Sequence, residues 1–174
     1  MKKWLLVGII GLALLLWEGY DIMTNRMKGP RWDRLIPEMK QKTMDLLTAA
    51  KAAGLDVMFF DGWRTKEASA ANMASGSSQV SSPLSSYHCW GMASDIVFAN
   101  AAGFPYWPPT NTEEGLALWK KLGAIGQSVG LTWGGEWKSF DADHFQLKGK
   151  SIAVVRAEYG DDTDAYLKDN GITV

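Results

Sequence analysis

The sequence predicts an α+β fold: a small, mostly antiparallel sheet flanked by helices, preceded by an N-terminal hydrophobic helix. Three observations predict it. Apolar residues recur at helical spacing in two long stretches, 37–53 and 112–129. Between and after them lie short runs rich in β-forming residues, bounded by turn residues. An uncharged apolar run, 4–17, opens the chain behind Lys2 and Lys3.

That first run has no polar face, so it does not read as a surface helix of a globular domain. Two lysines ahead of it place the N-terminus in the cytoplasm and the remainder outside. It leads into WEGYDIMTN, with bulky or charged residues where a cleavage site needs small ones. Residues 1–24 are therefore expected to be an uncleaved membrane anchor. The run is short for a span, and Gly8, Gly11 and Ala13 dilute it, which leaves later release from the membrane open.

Residues 25–30 read as a linker broken at Gly29-Pro30, and 28–174 as one folded domain. The 37–53 helix starts at Pro37, buries Met39, Thr43, Leu46, Leu47 and Ala50, and stops at Gly54. A strand follows over 55–60, ending at Asp61-Gly62, and a helix over 66–74. The serine-rich stretch 75–86 reads as a long loop inside the domain rather than a linker, because candidate site residues flank it. Strands are expected at 93–98, 131–133 and 144–147, the last two around a turn containing Gly134-Gly135. The 112–129 helix shows Leu116, Trp119, Leu122, Ile125 and Val129 on one face. One or two short helices complete the tail from Ser151.

Composition bounds the function. At 47% hydrophobic and 21% charged residues the chain is globular. A formal net charge of -1 without a long basic run after the N-terminus argues against nucleic acid as a partner. A monomer is expected. The lone cysteine, Cys89, forms no intramolecular disulfide and reads as a small apolar residue. Nine tryptophans are many for this length; they belong either to the core or to a cleft wall.

The chain has two histidines, each in a polar cluster. His88 opens HCWGMASD, which Asp95 closes, and His144 ends DADH, which Asp141 begins. Two imidazoles and one carboxylate are a common ligand set of catalytic zinc, with a fourth position left open. The same set also suits iron. Asp95 lies on the apolar strand ASDIVF and His144 begins HFQL, so adjacent strands bring them together, with His88 reaching in from the loop. Asp141, in the turn before His144, is the candidate general base.

Ser86, His88, Gly91, Ala93 and Asp95 match Ser-x-His-x-x-Gly-x-Ala-x-Asp, and Asp141 with His144 match Asp-x-x-His. Together these motifs resemble the zinc D-Ala-D-Ala carboxypeptidase and L-alanyl-D-glutamate endopeptidase family, whose fold is shared with the hedgehog signalling domain. The stretch WGGEWKSFDADHFQL resembles phage endolysins of the L-alanyl-D-glutamate type. The N-terminal run is similar to the signal-arrest-release segments of some phage lysis enzymes. The resemblance covers about residues 35–147.

It implies Zn2+ held by His88, Asp95 and His144, with Asp141 as general base and acid. It implies that Arg64 stabilises an oxyanion or holds a substrate carboxylate. Ser86 bonds substrate, orients His88 or caps its turn. The substrate would be the peptide stems of peptidoglycan, cut at L-Ala-D-Glu, with D-Ala-D-Ala carboxypeptidase or dipeptidase activity as the alternative. A wall-binding module without catalysis is a third reading. The chain would sit at the inner membrane with its catalytic domain in the periplasm, either retained or released. Three departures from the family pattern stand out. One residue fewer separates Phe140 from His144 than in those endolysins. Asp143 replaces a common Pro and offers a second carboxylate as base. Trp63-Arg64-Thr65 stands for an aromatic-Arg-Ser segment.

Overall fold

The computed structural model describes residues 27–78 and 80–174. The anchor expected over 1–24 lies outside the described residues. Among the described residues no helix is long and apolar enough to cross a membrane.

After a short helical turn, α1 (Pro30–Asp33), the long helix α2 (Pro37–Ala52) buries Met39, Thr43, Leu46, Leu47 and Ala50. Those are the five residues its periodicity picked out. Its end explains why the next strand begins later than its β-rich composition suggests. Gly54 takes a positive φ, its N–H donates to the Lys51 carbonyl, and Leu55 N–H reaches back to Ala50 O at 2.9 Å. Leu55 is thus spent on the helix cap. Strand β1 runs over Val57–Asp61 instead of 55–60. Helix α3 (Lys66–Ala74) is capped by Thr65, whose hydroxyl accepts from Ala68 N–H.

Strand β2 (Ala93–Ala99) is the centre of an antiparallel sheet ordered β1-β2-β5-β4, where β4 is Leu131–Trp133 and β5 is His144–Leu147. A two-residue strand, β3 (Pro105–Tyr106), pairs with the far end of β2; nothing in its sequence pattern announced it. Between β3 and β4, helix α4 (Glu113–Ser128) packs on the sheet. The tail forms α5 (Ile152–Tyr159) and α6 (Thr163–Asp169), as expected.

Strand alternation sorts the two sheet faces. Val57, Phe59, Ile96, Phe98, Phe145 and Leu147 belong to the hydrophobic core beneath α2 and α4. The polar pair Thr43–Ser94 is buried there but hydrogen-bonded side chain to side chain at 3.0 Å. Asp95, His144 and Gln146 therefore project from the opposite face.

Candidate active site

The register places Asp95 directly opposite His144 on β5 and opposite Asp61 on β1. A bulge between Phe59 and Asp61 makes the second pairing possible; an unbroken ladder from Phe59↔Ile96 would have set Phe60 against Asp95. Such bulges re-aim side chains. His88 arrives on a 3-10 turn, Tyr87–Trp90, that ends at Gly91. Gly91 has φ 63°, and a Cβ there would lie 2.3 Å from the Arg34 carbonyl oxygen. Only glycine lets the chain turn from His88 into β2.

Three donor atoms then meet. His88 Nε2, His144 Nδ1 and Asp95 Oδ1 are 3.1, 3.2 and 3.2 Å from one another. Ligand atoms on a tetrahedral zinc at about 2.0 Å are spaced by about 3.3 Å, so this triangle has the size of one face of that tetrahedron. The outer nitrogens fix the tautomers. His88 Nδ1–H donates to the Gly62 carbonyl at 2.6 Å, and His144 Nε2–H donates to Gln146 Oε1 at 3.2 Å. Both inner nitrogens then present lone pairs toward a carboxylate oxygen, an arrangement that a shared cation satisfies. All three side chains are buried. The donor set and its spacing fit a divalent metal.

Burial alone would push Asp95 up, but the adjacent His88 and His144 hold it well below the usual carboxylate range. Burial likewise disfavours the charged form of His144, yet the Asp95 carboxylate raises its pKa overall. Ligation of a metal requires that imidazole in its neutral form.

Around the triangle, Arg64 Nη2 donates to Asp95 Oδ2 at 2.5 Å and its Nε to Asp61 Oδ2 at 2.7 Å. Arg64 thus bridges two carboxylates behind the donor atoms and also lines the cleft. Ser86 is buried and lines the cleft, but its side chain caps no turn. The His88 ring is oriented by Gly62 instead. Asp141 and Asp143 both line the cleft wall beside His144. Burial, with the nearby Asp95 and Asp141 carboxylates, raises Asp143 to about 7. Cys89 points away, with its Sγ 3.3 Å from the Pro83 carbonyl oxygen and outside the donor cluster.

The cleft measures about 820 Å³. Ser77, Ser78 and Ser85 of the serine-rich segment line it, so that stretch is part of the site and not a linker. The tryptophans divide between the two expected roles. Trp90, Trp119 and Trp133 are core, whereas the Trp137 ring lies 5.1 Å from that of His144. Sequence reading did not single out Gln146, Gly62 or Asp61. Gln146 was findable, because a residue two along a strand from a ligand shares its face.

Residues 79–147 match the family described as D-alanyl-D-alanine carboxypeptidase. The L-alanyl-D-glutamate peptidase of Listeria phage A118 is 34% identical over 132 residues, covering 75% of this chain and 42% of that protein. The peptidoglycan L-alanyl-D-glutamate endopeptidase CwlK of Bacillus subtilis (strain 168) is 28% identical over 129 residues, covering 65% and 73%. The crystal structure of the Serratia marcescens L-Ala D-Glu endopeptidase ChiX shares the fold, with a TM-score of 0.52 at 24% identity over 67% of this chain and 83% of that one. The chain is thus similar, over its matched residues, to the D-alanyl-D-alanine carboxypeptidase family and to two L-alanyl-D-glutamate peptidases. It spans less than half the length, 42%, of the phage relative it matches.

Proposed function

We propose that the chain is a zinc-dependent peptidase that hydrolyses the peptide stems of peptidoglycan, an L-alanyl-D-glutamate endopeptidase acting as a phage or prophage endolysin. The observation that carries this reading is the buried triangle of two imidazole nitrogens and a carboxylate oxygen, open to a cleft with Asp141 on its wall. The two relatives named for this bond support its choice.

His88, Asp95 and His144 would hold the ion. Zinc, when bound in such a site, supplies Lewis-acid polarisation of an amide carbonyl and acidifies water. Gly62 and Gln146 keep the two imidazoles in the tautomers that ligation needs. Arg64 holds the outer oxygen of Asp95 and sets the direction of the inner one. A guanidinium lining the cleft also favours charge developing on a carbonyl oxygen, or a substrate carboxylate. Asp141 takes the proton from the attacking water and returns it to the leaving amine. Ser86 offers its hydroxyl to the bound stem. A catalytic carboxylate of this kind has no use in a wall-binding module.

The family description favours a second reading, a D-Ala-D-Ala carboxypeptidase. The N-terminal run, 4–17, supports anchoring at the inner membrane with the folded part in the periplasm. Mass spectrometry of purified muropeptides, incubated with the full chain in mild detergent with zinc or with chelator, separates the cleavages. Zinc-dependent release of stem peptides lacking L-Ala is the expected result. Loss of terminal D-Ala alone would establish the carboxypeptidase, and no zinc-dependent product would defeat both.

A further inference from the structure

Two strands lie end to end along β2. Strand β5 pairs with Ala93, Ser94 and Asp95, and β3 pairs with Phe98 and Ala99. Trp107 follows β3 and Asp143 precedes β5, so the junction between the two strands brings these residues together. Trp107 Nε1 donates to Asp143 Oδ2 at 2.7 Å. The Trp107 ring stands edge-on to Phe60, with centroids 4.8 Å apart. It remains 44% exposed, so burial of its surface is not what fixes it. A second indole acts on the same turn: Trp133 Nε1 donates to the Ala142 carbonyl at 2.8 Å. The turn bearing Asp141 and Asp143 is thus held by two indole N–H groups, and Trp107 alone of the two acts on a carboxylate.

Asp143 is a competitor in two ways. Beside His144, its carboxylate can replace Asp141 as proton acceptor. As an oxygen donor it can also close a metal site whose three protein ligands leave one position open. An N–H donor on Oδ2 takes up acceptor capacity and holds the side chain in one direction. We propose that Trp107 is a positioning residue: its indole N–H holds the Asp143 carboxylate out of the reacting position and leaves that position to Asp141. This inference rests on the zinc-peptidase reading above.

A double-mutant cycle on the full chain tests it. Trp107→Phe keeps a ring against Phe60 and removes only the N–H. It is made in the native and in the Asp143→Ala background. Two quantities are read in each: kcat and KM on purified muropeptides, and zinc affinity by competition with a chromophoric chelator. In the native background Trp107→Phe is expected to lower kcat by about tenfold with KM little changed, and to tighten zinc binding as the freed carboxylate joins the site. In the Asp143→Ala background the same substitution changes either quantity by less than about twofold. Equal effects in both backgrounds, or none in either, overturn the proposal. A native chain that neither binds zinc nor cuts muropeptides defeats the zinc-peptidase reading, and this inference with it. Zinc binding and cleavage with an additive cycle defeat the inference alone.

Discussion

A neutral imidazole offers a metal one nitrogen and needs an acceptor for the N–H on the other. His88 finds that acceptor in the Gly62 carbonyl and His144 in Gln146. Gln146→Ala leaves the His144 tautomer unspecified, and zinc affinity is expected to fall by about 10–100-fold, measured by chelator competition. Unchanged affinity would show that Gln146 does not set the tautomer. Asp141 carries a different burden, since it is absent from the donor cluster but on the cleft wall. Asp141→Asn is expected to keep stoichiometric zinc and lose about 10²–10⁴-fold in kcat, read by metal analysis beside a muropeptide assay. Hydrolysis retained in that variant would move the proton transfer to Asp143. At this scale the three donor residues that the structure brings together were legible because His is rare in the chain and each falls in a spaced motif. The supporting residues were not, because a backbone carbonyl and a glutamine have no motif of their own.

The elements were legible where their patterns were pure. Helix α2 buried the residues its periodicity named, and Asp95 met His144 through the pairing of two apolar strands. Helix α4 was read less well. Trp119 and Leu122 are buried as expected, but the closest approach to the sheet is made by Gly123 and Gly126, which carry no apolar signal. A Cβ on Gly123 would lie 2.2 Å from the Trp133 ring and one on Gly135 2.1 Å from it. Both glycines press on the indole, and from that slot its N–H donates to the Ala142 carbonyl. This gives the Trp-Gly-Gly run a physical reason. Gly123→Ala gains helix propensity worth about 1 kcal/mol but forces the ring aside at a cost of about 1–3 kcal/mol. Net destabilisation in urea titration is expected, with a fall in kcat because the Asp141 turn loses its anchor. A variant as stable and active as the native chain would show that the ring is not held in this slot. The strand β3 escaped notice because two residues are too few for any period to show.

Over the whole molecule, the candidate metal site sits where β1, β2 and β5 meet the turn bearing His88, so ligation there would tie distant parts of the chain together. Removing the cation leaves buried acceptors facing one another. At a zinc concentration about 1,000 times Kd, binding adds about 4 kcal/mol to stability, which for a chain of this size is roughly 8–16 °C in Tm. Calorimetry with zinc and with chelator should show a difference of that order; coincident transitions would mean that the site does not couple to the fold. The global architecture was legible because β-forming runs bounded by turn residues lie between and after two long amphipathic helices; of the central strands only β5 alternates polar and apolar residues cleanly. The central claim is that three residues, His88, Asp95 and His144, form one metal site. X-ray absorption at the zinc edge of the loaded chain tests it most directly. The expected shell is two imidazole nitrogens and light oxygen donors at about 2.0 Å, lost on His88→Ala. A sulfur shell at about 2.3 Å, or a spectrum indifferent to His88, would contradict it.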